Sequence, residues 1–120
     1  MIRGIRGATT ITGDHLEELL IETEKLVLEM VRVNHVDPDE VASVIISTTT
    51  DICSGFPAKA VRSIEGWKYV PVMCTHEMVV SGSLPHCIRV LMHVNTSVSQ
   101  EHIHHIYLNE AIGLRPDLSS

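Results

Sequence analysis

One arginine stands inside the clearest apolar strand pattern of the chain, at residues 87–95. Alternation along a strand places Arg89 on one face with Cys87, Leu91 and His93, while purely apolar residues occupy the other face. A guanidinium keeps its charge at physiological pH, so within a protein it must find an acceptor or reach water. If Arg89 faces a cleft, it supplies a fixed positive charge that can stabilise negative charge developing in a reaction.

Cys74 and Glu77 precede a run of apolar residues at 78–80. A carboxylate at Glu77 could accept a hydrogen bond from a substrate hydroxyl or pair with an arginine. The position of Glu77 alone fits an exposed acid in a loop after a strand at least as well as it fits such a binding role. Cys74 and His76 can share a strand face, but no third group that would orient a thiol nucleophile is evident.

Lys59 and Arg62 lie three residues apart at the start of a predicted short helix that begins near Pro57. Two cations close to free backbone N–H groups could bind an anion. An exposed basic turn is the alternative, and the sequence does not choose between them. Further along, Tyr107 and Arg115 add a phenol and one more cation near the end of the chain.

The eight histidines form no recognisable metal-binding pattern, although His102, His104 and His105 are close in sequence. The chain contains no HExxH motif, no zinc-type Cys/His spacing, no glycine-rich nucleotide-binding motif and no GxSxG. We therefore predict neither a metal site nor a cofactor.

Composition predicts one domain spanning residues 1–120, with 44% apolar residues and no apolar run near the roughly 18 residues of a membrane span. The N-terminus resembles no signal peptide, and an odd number of cysteines (three) without a CxxC pair favours reduced thiols. We therefore expect a cytoplasmic protein with no membrane partner. A net charge of −6 without a basic stripe argues against nucleic-acid binding.

Hydrophobic periodicity predicts the elements that must position these residues. A long amphipathic helix should run from Asp14 to about Asn34, with Asp14 supplying N-cap chemistry. Its apolar stripe should consist of Leu16, Leu20, Thr23, Val27 and Met30. Asp37 should cap a second, short helix, and residues 56–62 should open a third. Strands are predicted at 2–9, 43–49, 69–74, 87–95 and 104–108, with one helical turn at 99–102.

Strands outnumber long helices in this order, and the later strands follow one another closely. That arrangement predicts the α+β class, with a two-layer mixed β-sheet covered by helices on one face. Pro71 places its strand at an edge or a bulge. The other sheet face would have little cover within one subunit, so we expect an oligomer.

Seven segments in the same order resemble the AroH class of chorismate mutases. They are IRGIRGATT at 2–10, FPAKAVR at 56–62, GWKYVPV at 66–72, Cys-x-x-Glu-Met at 74–78, CIRV at 87–90, Tyr-Leu at 107–108 and LRPDLS at 114–119. The resemblance spans nearly the whole chain. It implies a homotrimeric pseudo-α/β-barrel that converts chorismate to prephenate without a cofactor, with an active site at each subunit interface.

The same resemblance assigns roles to individual residues. Arg6, Tyr107 and Arg89 would hold the enolpyruvyl side of the ligand, with Arg89 near the ether oxygen. Glu77 and Cys74 would bind the ring hydroxyl. The remaining substrate-binding residues would be Phe56, Ala58, Lys59 (from the neighbouring subunit), Arg62, Val72, Met73, Leu114 and Arg115.

Two positions depart from the family pattern: Met73 stands where a small polar residue is expected, and Gly113 replaces a bulkier residue. Two other classes of function fit part of the sequence. A trimeric binding or imine-hydrolysing protein of a related fold would not need Cys74 and Glu77 together with Arg89. A non-catalytic interaction module would tolerate the loss of Arg89.

Overall fold

A computed structural model describes residues 1–114 of the chain. Its strands are β1 (Ile2–Thr10), β2 (Val41–Thr48), β3 (Val72–His76), β4 (Cys87–Asn95) and β5 (Ile106–Tyr107). Its α-helices are α1 (Leu16–Asn34) and α2 (Ala58–Arg62), and short 3-10 helices occur at Pro38–Glu40, Gln100–His102 and Asn109–Gly113. This mixture confirms the predicted α+β class.

The five strands form one mixed sheet in the order β3-β2-β4-β1-β5. The central strand β4 pairs antiparallel with β1 and β2, while the outer pairs β2–β3 and β1–β5 are parallel. The register places Ala8 of β1 and Ser47 of β2 on either side of Arg89. Cross-strand partners project from the same face, so this register decides which side chains can meet.

The two faces of the sheet differ as the alternation in β4 predicts. Ile88, Val90 and Met92 are buried against the helices, whereas Arg89 and Leu91 on the other face are only half-buried. We call the second face the open face. The helices therefore leave the middle of this face poorly covered, as predicted, although Cys87 and Ala8 on the same face are buried.

Helix α1 packs so closely on β1 that a side chain at Gly7 would collide with the side chains of Met30 and Leu26 unless they moved. A Cβ atom there would lie 2.5 Å from the sulfur of Met30. The glycine therefore lets the helix approach the strand that carries Arg6. None of the helices in residues 1–114 combines the length and the apolar character needed to cross a membrane.

The predicted apolar stripe of α1 is wrong at its first turns. Leu16 is 43% exposed and Leu20 is only half-buried, whereas Leu19 and Leu26 are completely buried. Leu16 begins the helix and reaches the loop at Gly55 instead of the sheet. The buried residues of the helix are Leu19, Thr23, Leu26, Val27 and Met30.

Asp14 does not cap α1, which also corrects its predicted start. The helix begins at Leu16, with His15 in the N-cap position and no side-chain cap. The carboxylate of Asp14 instead accepts N–H bonds from Cys53 (2.8 Å) and Ser54 (3.0 Å). The Asp14 carboxylate therefore bonds to backbone N–H groups that are distant in sequence, and not to the N–H groups of α1 that the local sequence predicted. Asp37, by contrast, caps its 3-10 helix as predicted.

The predicted strand at 69–74 is displaced towards its C-terminal side. Trp67–Val70 forms a turn, closed by the Val70 N–H and the Trp67 carbonyl, and Tyr69 is 88% exposed. Pro71 has no N–H group to donate, although its carbonyl accepts the Val44 N–H at 2.9 Å, and the strand itself begins at Val72. Because β3 lies at the edge of the sheet, the predicted edge position is confirmed.

Candidate active site

Arg89 lies near the centre of the open face, between two small residues. Ala8 on one side is almost completely buried, and Ser47 on the other is half-buried. Short neighbours leave space above the strands, which the 42% exposed guanidinium side chain enters. The strand register thus fixes a positive charge at the floor of a depression.

Glu77 reaches the same place from the end of β3. Its backbone N–H donates to the Thr48 carbonyl at 2.7 Å, which turns the residue towards the open face. The Ser47 hydroxyl donates to Glu77 Oε1 at 2.6 Å, and Arg89 Nε lies 3.2 Å from the same oxygen. Arg89 Nε is buried and its N–H does not align with the carboxylate, so the contact is an ion pair without a hydrogen bond among the described residues.

Arg6 and Tyr107 complete this group from β1 and β5. Together with Glu77, Arg89 and Leu114 they line a pocket of about 530 Å³, which we call the arginine pocket. The other residues around it are Gly7, Ala8, Ile45, Ser47, Val90 and Leu91. The pocket can hold a small molecule with negative charge, because two arginines are balanced by only one carboxylate.

Cys87 begins the same strand as Arg89 but is completely buried. Burial raises the pKa of its thiol, although the nearby Arg89 charge opposes the change. A thiol is a weak nucleophile unless it ionises, so Cys87 is an unreactive part of the core beside the pocket.

Cys74 lines a different depression, of about 420 Å³, which we call the cysteine pocket. Phe56 and His76 also border it, and Phe56 is 74% exposed. The remaining residues are Thr48, Ile52, Cys53, Gly55, Pro57 and Thr75. The two pockets therefore contain different parts of the predicted site.

The register of β3 explains this separation. Cys74 pairs with Ile46, which is completely buried on the helix-facing side, whereas Met73 pairs with Ile45 on the open face. Glu77 follows the strand and turns to the open face, where it meets Ser47. Within the chain, Cys74 and Glu77 thus lie on opposite sides of the sheet.

The other predicted binding residues border neither pocket in the described structure. Lys59 and Arg62 are exposed on α2, and Ala58 is buried beneath them. Val72 is half-buried, and Met73 is 66% exposed. Arg115 lies outside the described residues.

Comparison with known proteins identifies the family. The family model described as "Chorismate mutase type I" matches residues 2–118. The chain belongs to the type I chorismate mutase family. Chorismate mutase AroH from Bacillus subtilis (strain 168) is 51% identical over 119 residues, which cover 99% of this chain and 94% of that protein. Chorismate mutase AroH from Thermus thermophilus is 46% identical over 121 residues, covering 100% of this chain and 98% of that protein.

A solved structure agrees with these sequence matches. A chorismate mutase from Clostridium thermocellum superimposes with a TM-score of 0.87 at 44% identity, over 90% of this chain and 96% of that one. The predicted family and activity are therefore confirmed: the protein is a chorismate mutase, an isomerase of aromatic amino-acid biosynthesis that acts on a small molecule.

Sequence reasoning missed one polar member of this chorismate mutase's arginine pocket. Ser47 is bonded to Glu77 across 30 residues of sequence. Strand alternation in β2, which places Ser47 on the face of Ile45, would have indicated it. Among residues 1–114, no cluster of three histidine, cysteine or acidic side chains could hold a metal ion.

Proposed function

We propose that this chorismate mutase is a homotrimer, a pseudo-α/β-barrel in which the arginine pocket of one subunit faces the cysteine pocket of the next. The separation of Cys74 and Glu77 is the observation that carries the proposal. The resemblance assigns both residues to the ring hydroxyl, yet one subunit holds them on opposite sides of its sheet. Two subunits can bring them together.

Exposed apolar residues lie beside each half of this composite site. Met78, Val79 and Val80, directly after Glu77, are 84%, 82% and 57% exposed. Phe56 beside the cysteine pocket and Met73 on the open face are exposed at 74% and 66%. Contiguous apolar surface of this kind marks protein interfaces, and contact between copies of the chain would bury it.

The charges suit a dicarboxylate such as chorismate. Arg6 and Arg89 lie in the arginine pocket, and Lys59 and Arg62 are exposed on α2, which follows the Phe56 edge of the cysteine pocket. Paired across an interface, they would hold both carboxylates and favour the compact conformer in which the reacting carbons approach. Arg115 would close the entrance.

Arg89 would supply the main catalytic effect. In the intramolecular Claisen rearrangement of chorismate to prephenate, the C–O bond breaks and negative charge grows on the ether oxygen. The guanidinium is held by the central strand, so it needs no reorganisation to stabilise that charge. The rearrangement requires neither a nucleophile nor a proton transfer, and we propose that it proceeds without a cofactor.

Glu77 would accept the ring hydroxyl of the substrate. The Ser47 hydroxyl donates to Oε1 and Arg89 forms its ion pair with the same oxygen, so we propose that Oε2 accepts the substrate hydroxyl. Cys74 of the neighbouring subunit would approach the same hydroxyl. Tyr107 would bind the enolpyruvyl side, and apolar contacts would come from Phe56, Ala58, Val72, Met73 and Leu114.

The wider assignments follow from the same reasoning. We assign residues 1–120 to one domain, because the buried apolar residues of the described part form one continuous cluster. We place the enzyme in the cytoplasm, because Cys53, Cys74 and Cys87 are all free thiols.

Mixed oligomers test the shared site. Arg89→Gln inactivates the arginine pocket, and Lys59→Glu repels the substrate from the opposite half. Each variant alone should be nearly inactive. If the variants are co-expressed, about one quarter of the sites in randomly mixed oligomers combine two intact halves, so activity should recover towards a quarter of wild type.

Lys68→Glu is the matched control for charge reversal, since Lys68 is an exposed lysine that contacts Tyr69. It should leave kcat/KM unchanged. No recovery in mixtures whose mixing is confirmed by mass spectrometry would contradict the shared site. A stable monomer in sedimentation equilibrium at micromolar concentration would contradict the trimer itself.

A further inference from the structure

His105 makes an unusual contact with the backbone of Arg6, which lines the arginine pocket. The backbone N–H of Arg6 donates to Nδ1 of the His105 imidazole at 2.9 Å. Strands β1 and β5 pair in parallel at Gly7–Ile106 and Ala8–Tyr107, and the Leu108 N–H donates to the Ala8 carbonyl. The imidazole nitrogen therefore takes the place of the backbone carbonyl that would accept the Arg6 N–H if the pairing of β1 with β5 continued.

This contact ties the backbone of Arg6 in β1 to the residue that leads into β5 and Tyr107. Arg6 provides one cation and Tyr107 the phenol, while His105 precedes the Tyr107 strand and holds the Arg6 backbone. Strand β5 has only two residues, so the ladder by itself fixes it weakly. An unsatisfied N–H at Arg6 would also be costly, because Arg6 is half-buried.

We propose that His105 is a positioning residue for catalysis, which holds Arg6 and Tyr107 in the geometry that binds the substrate. The inference rests on the role proposed above for Arg6. A nitrogen that accepts an N–H bond carries no proton, so the ring must be neutral with its hydrogen on Nε2. His105 itself touches no reacting atom.

Two amide substitutions separate this role from simple space filling. In His105→Asn the amide oxygen is attached to Cγ, as Nδ1 is, so it can accept the same bond. In His105→Gln the amide lies one carbon further out and cannot. His105→Leu removes every acceptor, and His104→Leu is the neighbouring control, because His104 is exposed.

We expect His105→Gln and His105→Leu to lose about 10- to 100-fold in kcat/KM, mainly through a higher KM, since a misplacement of about 1 Å can cost 10²-fold. His105→Asn should stay within about threefold of wild type, and His104→Leu should equal wild type. If His105→Leu does not fold, the comparison of His105→Asn with His105→Gln still shows whether the bond to the Arg6 N–H affects kcat/KM.

Equal activity of the Asn and Gln variants would overturn the inference, provided Arg6→Ala is impaired. If Arg6→Ala retains full activity, the proposed role of Arg6 fails and the positioning role falls with it, so the two failures are distinguishable. Imidazole ¹⁵N NMR at pH 7 should show the Nε2–H form of His105. A protonated Nδ1 would also overturn the proposal.

Discussion

The two pockets are built in different ways. The arginine pocket rests on neighbouring strands, whose register places Ala8, Ser47 and Arg89 side by side. The cysteine pocket rests partly on the loop around Cys53, which is held by bonds from two N–H groups to Asp14. A sheet fixes charges more firmly than a loop does, so we expect transition-state stabilisation in the first pocket and substrate enclosure in the second.

Replacing Arg89 by citrulline should have the largest effect, because it keeps the shape but removes the charge and turns one terminal nitrogen donor into a carbonyl acceptor. Loss of one preorganised donor typically costs about 10²–10³ in rate, and loss of a full charge in a desolvated site should reach at least that range. Steady-state kinetics should show the decrease mainly in kcat, with KM changed less.

Arg89→Lys sharpens this result. A flexible point charge lacks the planar fork of the guanidinium, so only part of the activity should remain. A raised KM with unchanged kcat in the citrulline variant would show that Arg89 only binds the substrate.

Substitutions at Glu77 and Cys74 compare the two pockets directly, and we expect their effects on kcat/KM to be intermediate. Glu77→Ala removes a charged hydrogen bond, worth about 1.5–3 kcal/mol, so kcat/KM should fall about 10- to 100-fold. Cys74→Ser keeps a hydrogen-bond donor and should cost much less.

Ser47→Ala is the matched variant for Glu77, since it removes one bond to Oε1 and keeps the carboxylate. Ser47 acts on the substrate only through Glu77, so we expect its loss to cost less than that of the carboxylate, about 0.5–1.5 kcal/mol or a 2- to 10-fold decrease in kcat/KM. Wild-type kcat/KM in Glu77→Ala would mean that this carboxylate does not bind the substrate.

The smallest effect should come from Asp14, which acts on the loop of the cysteine pocket. The Ser54 hydroxyl beside the carboxylate and the Cys53 N–H lower the pKa of Asp14. The folded state therefore releases this proton more readily than the unfolded chain. The stability contributed is complete above the ordinary aspartate pKa of about 3.9 and is lost as the pH falls through the lowered value.

Thermal unfolding between pH 6 and pH 3 measures this contribution. The Tm of wild type should fall more steeply below pH 4 than that of Asp14→Asn, which cannot titrate. Asp39→Asn, at an exposed carboxylate of the 3-10 helix, is the control and should follow wild type. Parallel curves for wild type and Asp14→Asn would show that the Asp14 contacts add no pH-dependent stability.

Local patterns in the sequence were sufficient to predict the class of fold and the faces of the central strand, whereas the family resemblance suggested Arg6, Tyr107 and Leu114. Period-2 alternation in β4 correctly separated Arg89 from the buried Val90, because alternation depends only on the geometry of a single strand. The proline at residue 71 correctly indicated an edge strand. Ordered motifs along the chain identified the family.

Other features depend on contacts between distant residues, which no local pattern contains. The bond from Ser47 to Glu77 spans 30 residues and depends on the pairing of β3 with β2, whereas strand alternation alone already puts Cys74 and Glu77 on opposite faces. We predicted that Asp14 caps α1, but its carboxylate instead accepts bonds from the N–H groups of Cys53 and Ser54, about 40 residues away. Pairing register and long-range hydrogen bonds form only when the chain has folded, so the tertiary structure alone decided which of these side chains meet.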